Sequence, residues 1–342
     1  MKFSVCIPNF NYANYLDKTL DSVLANKSAE YEVVVADNAS TDTSVELVKR
    51  YAALHGNIRL KVNSCNVGFA GNLDRVGEMA AGDYMIMLSS DDLMGPETLQ
   101  QYGEVFAMYP DVLIGSACDR IDSQGNKIGY TGPHPDLWLK EDIDQQLSSK
   151  FGCPVYRCSS DVLLRRCLLT MQTPFGFCTG AYPRRLYDAV GGYGGGRSMN
   201  PDKWFHWKLM TECREVVYFD KPLFSYRWHS QNQVGLESSF GHLRFLMDEY
   251  KNAIEVTQSM LSRSGMSRSQ VEKSFVRRDI YRHGIGEFSK GRWFKSFRIF
   301  FFGLSVFPIR HLLNLYSIPY FLLLCSTPVG SWLVAGILKR MK

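Results

Sequence analysis

Tyr84-Met85-Ile86-Met87-Leu88-Ser89-Ser90-Asp91-Asp92 sets five apolar residues directly against two adjacent carboxylates. An uninterrupted apolar run of this length reads as a strand covered on both faces, the habit of parallel sheets rather than of half-exposed antiparallel ones. In open parallel sheets the ligand-binding groups gather just beyond the carboxyl ends of the strands, which is where Ser90, Asp91 and Asp92 stand. Neighbouring carboxylates raise each other's proton affinity unless a cation or a donor neutralises them. Hard divalent ions such as Mg²⁺ and Mn²⁺ take carboxylate oxygens and leave room for phosphate. The competing reading is a solvated turn that caps a helix near Pro96.

The same texture recurs upstream. Phe3–Ile7 is an apolar run stopped by Pro8 and Asn9, and Asn14 is positioned to cap a helix carrying Leu16, Leu20, Val23 and Leu24 on one face. Val33–Ala36 is a second buried run, stopped at Asp37-Asn38. A helix is expected over 43–54, a strand over 58–62 and a helix over 72–79. Strands alternating with helices predict an α/β fold, a mostly parallel open sheet flanked by helices. Asp37 suits either a hydrogen bond from a base or ribose, or a helix cap. No GxGxxG follows the first strand, which disfavours a dinucleotide-binding turn.

Beyond residue 111 the pattern loosens. Val112–Gly115 reads as a further strand, Asp122–Asn126 as a turn, and Gly191, Gly192, Gly194, Gly195 and Gly196 as a mobile loop. From 236 the chain reads as helical. Residues 263–298 hold ten Lys or Arg against three Asp or Glu, and 311–338 carry no Asp, Glu, Lys or Arg. Three regions follow: 1–110, 111–235, and a helical, basic then apolar extension at 236–342. With 342 residues, 45% of them hydrophobic, the chain is long enough for a large core, and the net charge of +5 does not call for nucleic acid. Nine cysteines contain no CxxC pair, so they read as buried thiols in a reducing compartment rather than a zinc site. Met1–Ile7 is too short an apolar run before Pro8 for a signal peptide.

These stretches together resemble the inverting glycosyltransferases of family 2, which have the GT-A fold and use nucleotide sugars. Phe3–Asn11 resembles the first strand and donor loop, Val33–Asp42 the second strand with its base-contacting aspartate, Asn66–Asn72 the segment beside the nucleotide, and Leu88–Asp92 the metal and ribose motif. Ser89 stands where the family often has a further carboxylate. In the second half, Phe177–Gly180 and Arg184–Tyr193 resemble the acceptor side. Asp202 falls at the catalytic base, with Pro201 in place of the usual glutamate, and Tyr226-Arg227-Trp228-His229 resembles the segment near the diphosphate. The resemblance covers residues 3–232. It implies Asp202 as base; Pro8, Asn9, Phe10, Asp37, Asn66, Gly68, Asn72, Ser90, Asp91, Arg227 and His229 around the donor; Thr179, Gly180 and Trp204 on the acceptor side; and Asp92, with Asp91, as ligands of Mn²⁺ or Mg²⁺. The donor would be a UDP, dTDP or GDP sugar.

An acceptor hydroxyl needs a carboxylate to take its proton, and a diphosphate leaving group needs its charge absorbed. The expected reaction is transfer to a saccharide or polyprenyl-diphosphate-linked saccharide in cell-surface polysaccharide synthesis, such as lipopolysaccharide or capsule. A nucleotidyltransferase would want a lysine-rich triphosphate loop that Pro8–Asn11 does not offer. A noncatalytic saccharide-binding protein would not need Asp37, Asp91, Asp92 and Asp202 together. Pro319 and Pro328 interrupt the uncharged stretch, so interfacial helices fit it better than one clean span, with core or oligomer packing as the alternative. Residues 263–338 are therefore expected on an anionic membrane, at the cytoplasmic face of the inner membrane.

Overall fold

The computed structural model describes residues 1–194, 201–229, 242–307 and 312. Gly195 and Gly196 of the glycine cluster, and 311–338 apart from Leu312, lie outside the described residues. The chain divides into two compact units, one of residues 1–167 and 172–232, the other of 168–171 and 233–342.

The first unit is built on strands β1 (Lys2–Asn9), β2 (Glu30–Asp37), β3 (Ile58–Val62), β4 (Tyr84–Met87), β5 (Leu93–Met94), β6 (Leu113–Ile121), β7 (Lys127–Thr131), β8 (Val155–Ser159), β9 (Ala181–Pro183) and β10 (Glu215–Arg227). They form one sheet in the order β3-β2-β1-β4-β9-β6-β10-β5, with β7 on β6 and β8 on β10. β3, β2, β1 and β4 pair in parallel, and β6 pairs in parallel with β10; β9 runs antiparallel between the two sets. The connecting helices are α1 (Ala13–Leu24), α2 (Ser44–Leu54), α3 (Gly68–Met79) and α4 (Thr98–Met108), followed by α5 (Gln145–Phe151), α6 (Ser160–Thr170), α7 (Arg184–Val190) and α8 (Pro201–Glu212).

The apolar runs are strands because both their faces are covered. Val5, Ile7, Val33, Val34, Val35, Met85 and Ile86 have no exposed surface. Fully burying one such side chain contributes about 1.5–3 kcal/mol. One expected cap is corrected. α1 begins at Ala13, ahead of Asn14, and its first N–H is met by a residue of the next loop, Ala13 N donating to Asp42 Oδ2 at 3.0 Å. Eight of the nine cysteines are described, all as free thiols, six of them buried.

The second unit contains α9 (His242–Ile254), α10 (Gln258–Ser264), α11 (Arg268–Phe275), a π-helical turn over Val276–Arg282, α12 (His283–Ser289) and α13 (Trp293–Val306). Thr257 caps α10 through Met260 N, and Ser267 and Gln270 form a reciprocal cap on α11. Leu246, Val271, Phe275, Ile280 and Ile299 are buried. Among the described residues no helix is long and apolar enough to cross a membrane.

Candidate active site

The carboxyl ends of β1 and β2 lie side by side, with Asn9 in register with Asp37. Asn9 Nδ2 donates to Asp37 Oδ2 at 2.7 Å, and Ser40 donates to the same carboxylate from its N–H at 2.8 Å and its hydroxyl at 2.6 Å. Asp37 is buried, so three protein donors compensate its charge and fix the turn. That turn is sewn to the first one: Asn11 N donates to Ser40 Oγ at 2.9 Å and Thr41 N to Asn11 Oδ1 at 2.8 Å. Asn11 and Ala39 sit at φ 58° and 62°, a left-handed conformation that asparagine tolerates better than alanine does. Pro8 is buried, whereas Phe10 stands 40% exposed at the rim.

A chain of amides joins the next loop. Asn38 Nδ2 donates to Asn66 Oδ1 at 2.8 Å, and Asn63 Nδ2 reaches Asn38 Oδ1 at 3.1 Å and Asn72 Oδ1 at 2.9 Å. Asn72 Nδ2 in turn donates to the Ala36 carbonyl at 2.9 Å. Gly68 opens α3 at φ 79°, a conformation open to glycine, and its N–H donates to Asn66 Oδ1 at 2.8 Å. Asn66, Gly68 and Asn72 thus belong to one network that begins at the Asp37 turn.

Past β4, Thr19 of α1 holds the acidic loop: its hydroxyl lies 3.0 Å from the Ser90 carbonyl and 2.9 Å from that of Asp92. The two aspartates then part. Asp92 has no exposed surface, and its Oδ1 accepts the Arg227 N–H at 2.8 Å. Burial, and then the charge of Asp91, push the Asp92 carboxyl well above the usual range. Asp91 keeps a tenth of its side chain at the surface, and its Oδ2 lies 2.9 Å from His229 Nε2. Arg227 is also fully buried. Its Nε donates to the Asp91 carbonyl at 2.8 Å and its Nη1 to the Asp122 carbonyl at 3.1 Å, placing it behind the acidic loop as a brace. The ring of Tyr15 carries the Arg227 guanidinium at 5.0 Å and the His229 ring at 4.8 Å, and Tyr12 meets His229 edge-on at 5.8 Å.

On the other side, a 3-10 turn over Phe177–Thr179 lies against the acidic loop. Cys178 lies against Asp92, and burial, then Asp92, push its thiol up. Phe177 meets Phe69 at 5.8 Å and Tyr193 at 6.3 Å. Thr179 turns inward, its hydroxyl donating to the Gly176 carbonyl at 3.1 Å. A Cβ on Gly180 would come within 2.6 Å of the Phe175 ring, so its role here is close packing. Trp204 is buried in α8. Asp202, in the first turn of α8, is half-buried. Burial raises its carboxyl, against the pull of Lys203 and nearby backbone N–H groups, and its charge is felt by Tyr193. Phe205, stacked on Tyr193 at 3.9 Å, anchors that helix.

The residue patterns had not marked Tyr12, Tyr15, Thr19 or Asn63. Thr19 carried a signal: a polar residue on the apolar face of α1 with Leu16, Leu20 and Val23. Asn63 carried none.

Residues 4–167 match the family model described as glycosyl transferase family 2. Over this stretch, just under half of its length, the chain is similar to that family. An uncharacterized glycosyltransferase of Nostoc sp. is 32% identical over 174 residues, 51% of this chain and 54% of the relative. The poly(ribitol-phosphate) β-N-acetylglucosaminyltransferase TarS of Staphylococcus aureus is 34% identical over 105 residues, 29% of this chain and 18% of TarS. This chain spans about half the length of the Nostoc relative and less of TarS. The fold is shared with the structure of S. aureus TarS 1–349 in complex with UDP-GlcNAc, at TM-score 0.62 and 18% identity over 92% of this chain and 84% of that one. It is shared also with the mannosyltransferase PcManGT of Pyrobaculum calidifontis in complex with GDP-Man and Mn²⁺, at TM-score 0.52 and 16% identity over 99% and 86%. The chain therefore has the GT-A fold that its motifs led us to expect.

Proposed function

We propose that this chain transfers a sugar from a nucleoside diphosphate to a hydroxyl of a saccharide or lipid-linked saccharide in cell-surface polysaccharide synthesis, with inversion at the anomeric carbon. The observation that carries the reading is the Asp91–His229 pair, 2.9 Å apart at the carboxyl edge of the parallel strands. TarS, bound to UDP-GlcNAc, and PcManGT, bound to GDP-Man and Mn²⁺, support a nucleotide-sugar donor.

A carboxylate oxygen beside an imidazole nitrogen suits Mn²⁺, and Mg²⁺ through the oxygen. Among the described residues no group of three or more His, Cys, Asp or Glu is arranged to hold a metal. Among the described residues we assign Asp91 and His229 as the side chains that would hold it. Asp92, with no exposed surface, is assigned to the brace with Arg227 instead. When bound, the metal offsets the charge of the departing diphosphate. The Asn9–Asn11, Asp37–Thr41 and Asn66–Asn72 loops are held by side-chain hydrogen bonds before a donor arrives, which limits the ordering cost of binding. Pro8, Phe10, Asn66, Gly68, Asn72 and Ser90 belong to, or border, that donor face. Asp202 accepts the acceptor's proton, and its raised carboxyl brings it closer to the working pH of a general base. Thr179, Gly180 and Trp204, all buried, pack behind the wall between.

Asp202→Asn tests the assignment. Transfer is expected to fall by about 10²–10⁴, with unchanged affinity for the donor and Mn²⁺ by calorimetry. The acid limb of the wild-type rate profile should lie above the ordinary aspartate range. Near-normal turnover of the variant would remove Asp202 as base. Failure to bind any UDP, dTDP or GDP sugar with Mn²⁺ would remove the whole reading.

A further inference from the structure

Helix α13 carries large apolar side chains on two opposite sides. Ser296, Ile299, Phe300 and Gly303 are buried within the second unit. The opposite stripe, Phe294, Arg298, Phe301 and Ser305, follows helical spacing and faces solvent. Phe294 is 88% exposed, Phe301 46% and the adjoining Trp293 53%. Single exposed aromatics are ordinary on a protein surface. Here three large ones lie on one short helix that already has a buried face.

The charges around them are one-sided. Between residues 284 and 306 the chain has Lys290, Arg292, Lys295 and Arg298 against Glu287 alone. Glu287 is buried, with Lys290 at 3.9 Å, Arg292 at 3.4 Å and Lys295 at 3.3 Å. One buried carboxylate thus gathers three cations around the start of α13, beside Trp293 and Phe294, and leaves a positive excess there. At 14 residues the helix is about 21 Å long, short of the roughly 30 Å hydrocarbon core, so it does not span.

We propose that α13 docks in the plane of an anionic lipid bilayer. Trp293, Phe294 and Phe301 enter the headgroup–acyl boundary, while Lys290, Arg292, Lys295 and Arg298 meet lipid phosphates. A second copy of the chain would bring its own cations against these and be repelled. The uncharged 311–338 stretch of the same chain would have no use for them. The inference does not rest on the sugar-transfer reading, because membrane binding is measured without donor or acceptor.

The test is flotation of the full chain with phosphatidylcholine vesicles, with or without phosphatidylglycerol. Wild-type protein should float with the anionic vesicles, bind less as salt rises, and have Trp293 quenched by brominated acyl chains, a signal lost in Trp293→Leu. Phe294→Ser with Phe301→Ser should lower partitioning at least about tenfold, and Arg298→Gln should weaken binding to anionic vesicles only. Both phenylalanines are substantially exposed, so the double variant should melt like the wild type. No flotation of the wild type overturns the proposal. So does undiminished binding of the double variant, which would shift the anchor to 311–338, or a wild-type dimer that this variant converts to monomer, which would make the stripe a protein interface.

Discussion

Asp92→Ala is expected to cost stability first and chemistry second, and Asp91→Ala the reverse. Asp92 Oδ1 accepts the Arg227 N–H at 2.8 Å, and neither residue has exposed surface. Removing the acceptor strands a buried N–H, at a cost of about 1–3 kcal/mol. Part of that returns, because burial and the neighbouring Asp91 already disfavour the ionised Asp92 carboxyl. A net loss of about 1–2 kcal/mol lowers the melting temperature by about 2–8 °C for a unit of this size. Asp92→Asn retains an oxygen for Arg227 and drops the charge, so it should melt near the wild type and bind Mn²⁺ with UDP almost normally. Asp91→Asn removes a carboxylate oxygen beside His229 without opening the core. Its Mn²⁺ affinity should fall by more than the roughly 10–100-fold that loss of an outer-shell partner costs. Thermal melts and Mn²⁺ titration by electron paramagnetic resonance separate the two. Loss of Mn²⁺ uptake in Asp92→Asn with retention in Asp91→Asn would refute the reasoning and restore Asp92 as the ligand.

Two further outcomes follow from packing. Tyr15 holds Arg227 and His229 on its ring, so Tyr15→Leu should weaken Mn²⁺ binding about tenfold while Tyr15→Phe restores it; equal affinities in both would deny Tyr15 a positioning role. Burial lowers the His206 pKa from 6.5 to about 3, so the folded protein keeps it neutral. The stability this gives is complete above the unfolded value and is lost as pH falls toward 3, at up to about 1.4 kcal/mol per unit. Between roughly pH 6 and pH 4 wild type should therefore lose stability faster than His206→Gln, and parallel urea midpoints would contradict this.

The sequence made the strands legible where burial is two-sided. Runs 3–7, 33–36 and 84–88 have no polar residue on either face except Ser4, whose hydroxyl is absorbed by Glu32 at 2.6 Å. β9 was not legible: its three residues are too few to show a period, and only its neighbours β4 and β6 make it a strand. The start of α1 was misread because the group that meets Ala13 N lies 29 residues away, in a loop that local propensity does not see. Asp37 was read as a base or ribose contact or a helix cap, but α2 begins only at Ser44, and Asp37 instead organises its turn through Ser40. Its bond to Asn9 required knowing that β1 and β2 are adjacent and in register.

The hardest distinction lay within the acidic pair, and the strand across from it explains why. Along 227–229 exposure alternates: Arg227 is fully buried, Trp228 is 48% exposed and His229 is buried again. Trp228 N continues the ladder to the Ile121 carbonyl at 2.8 Å, so the segment keeps the two-residue period of a strand past the end of β10. Arg227 and His229 therefore turn the same way, toward the acidic loop, but meet it at different depths. The first takes backbone groups and, through its own N–H, the carboxylate of Asp92; the second takes the carboxylate of Asp91. The Arg-x-His spacing thus places a brace and an imidazole on one face of a single strand. Such a strand predicts that the loop opposite contains one carboxylate for its N–H and one for its imidazole, but which is which follows only from the depth at which each arrives.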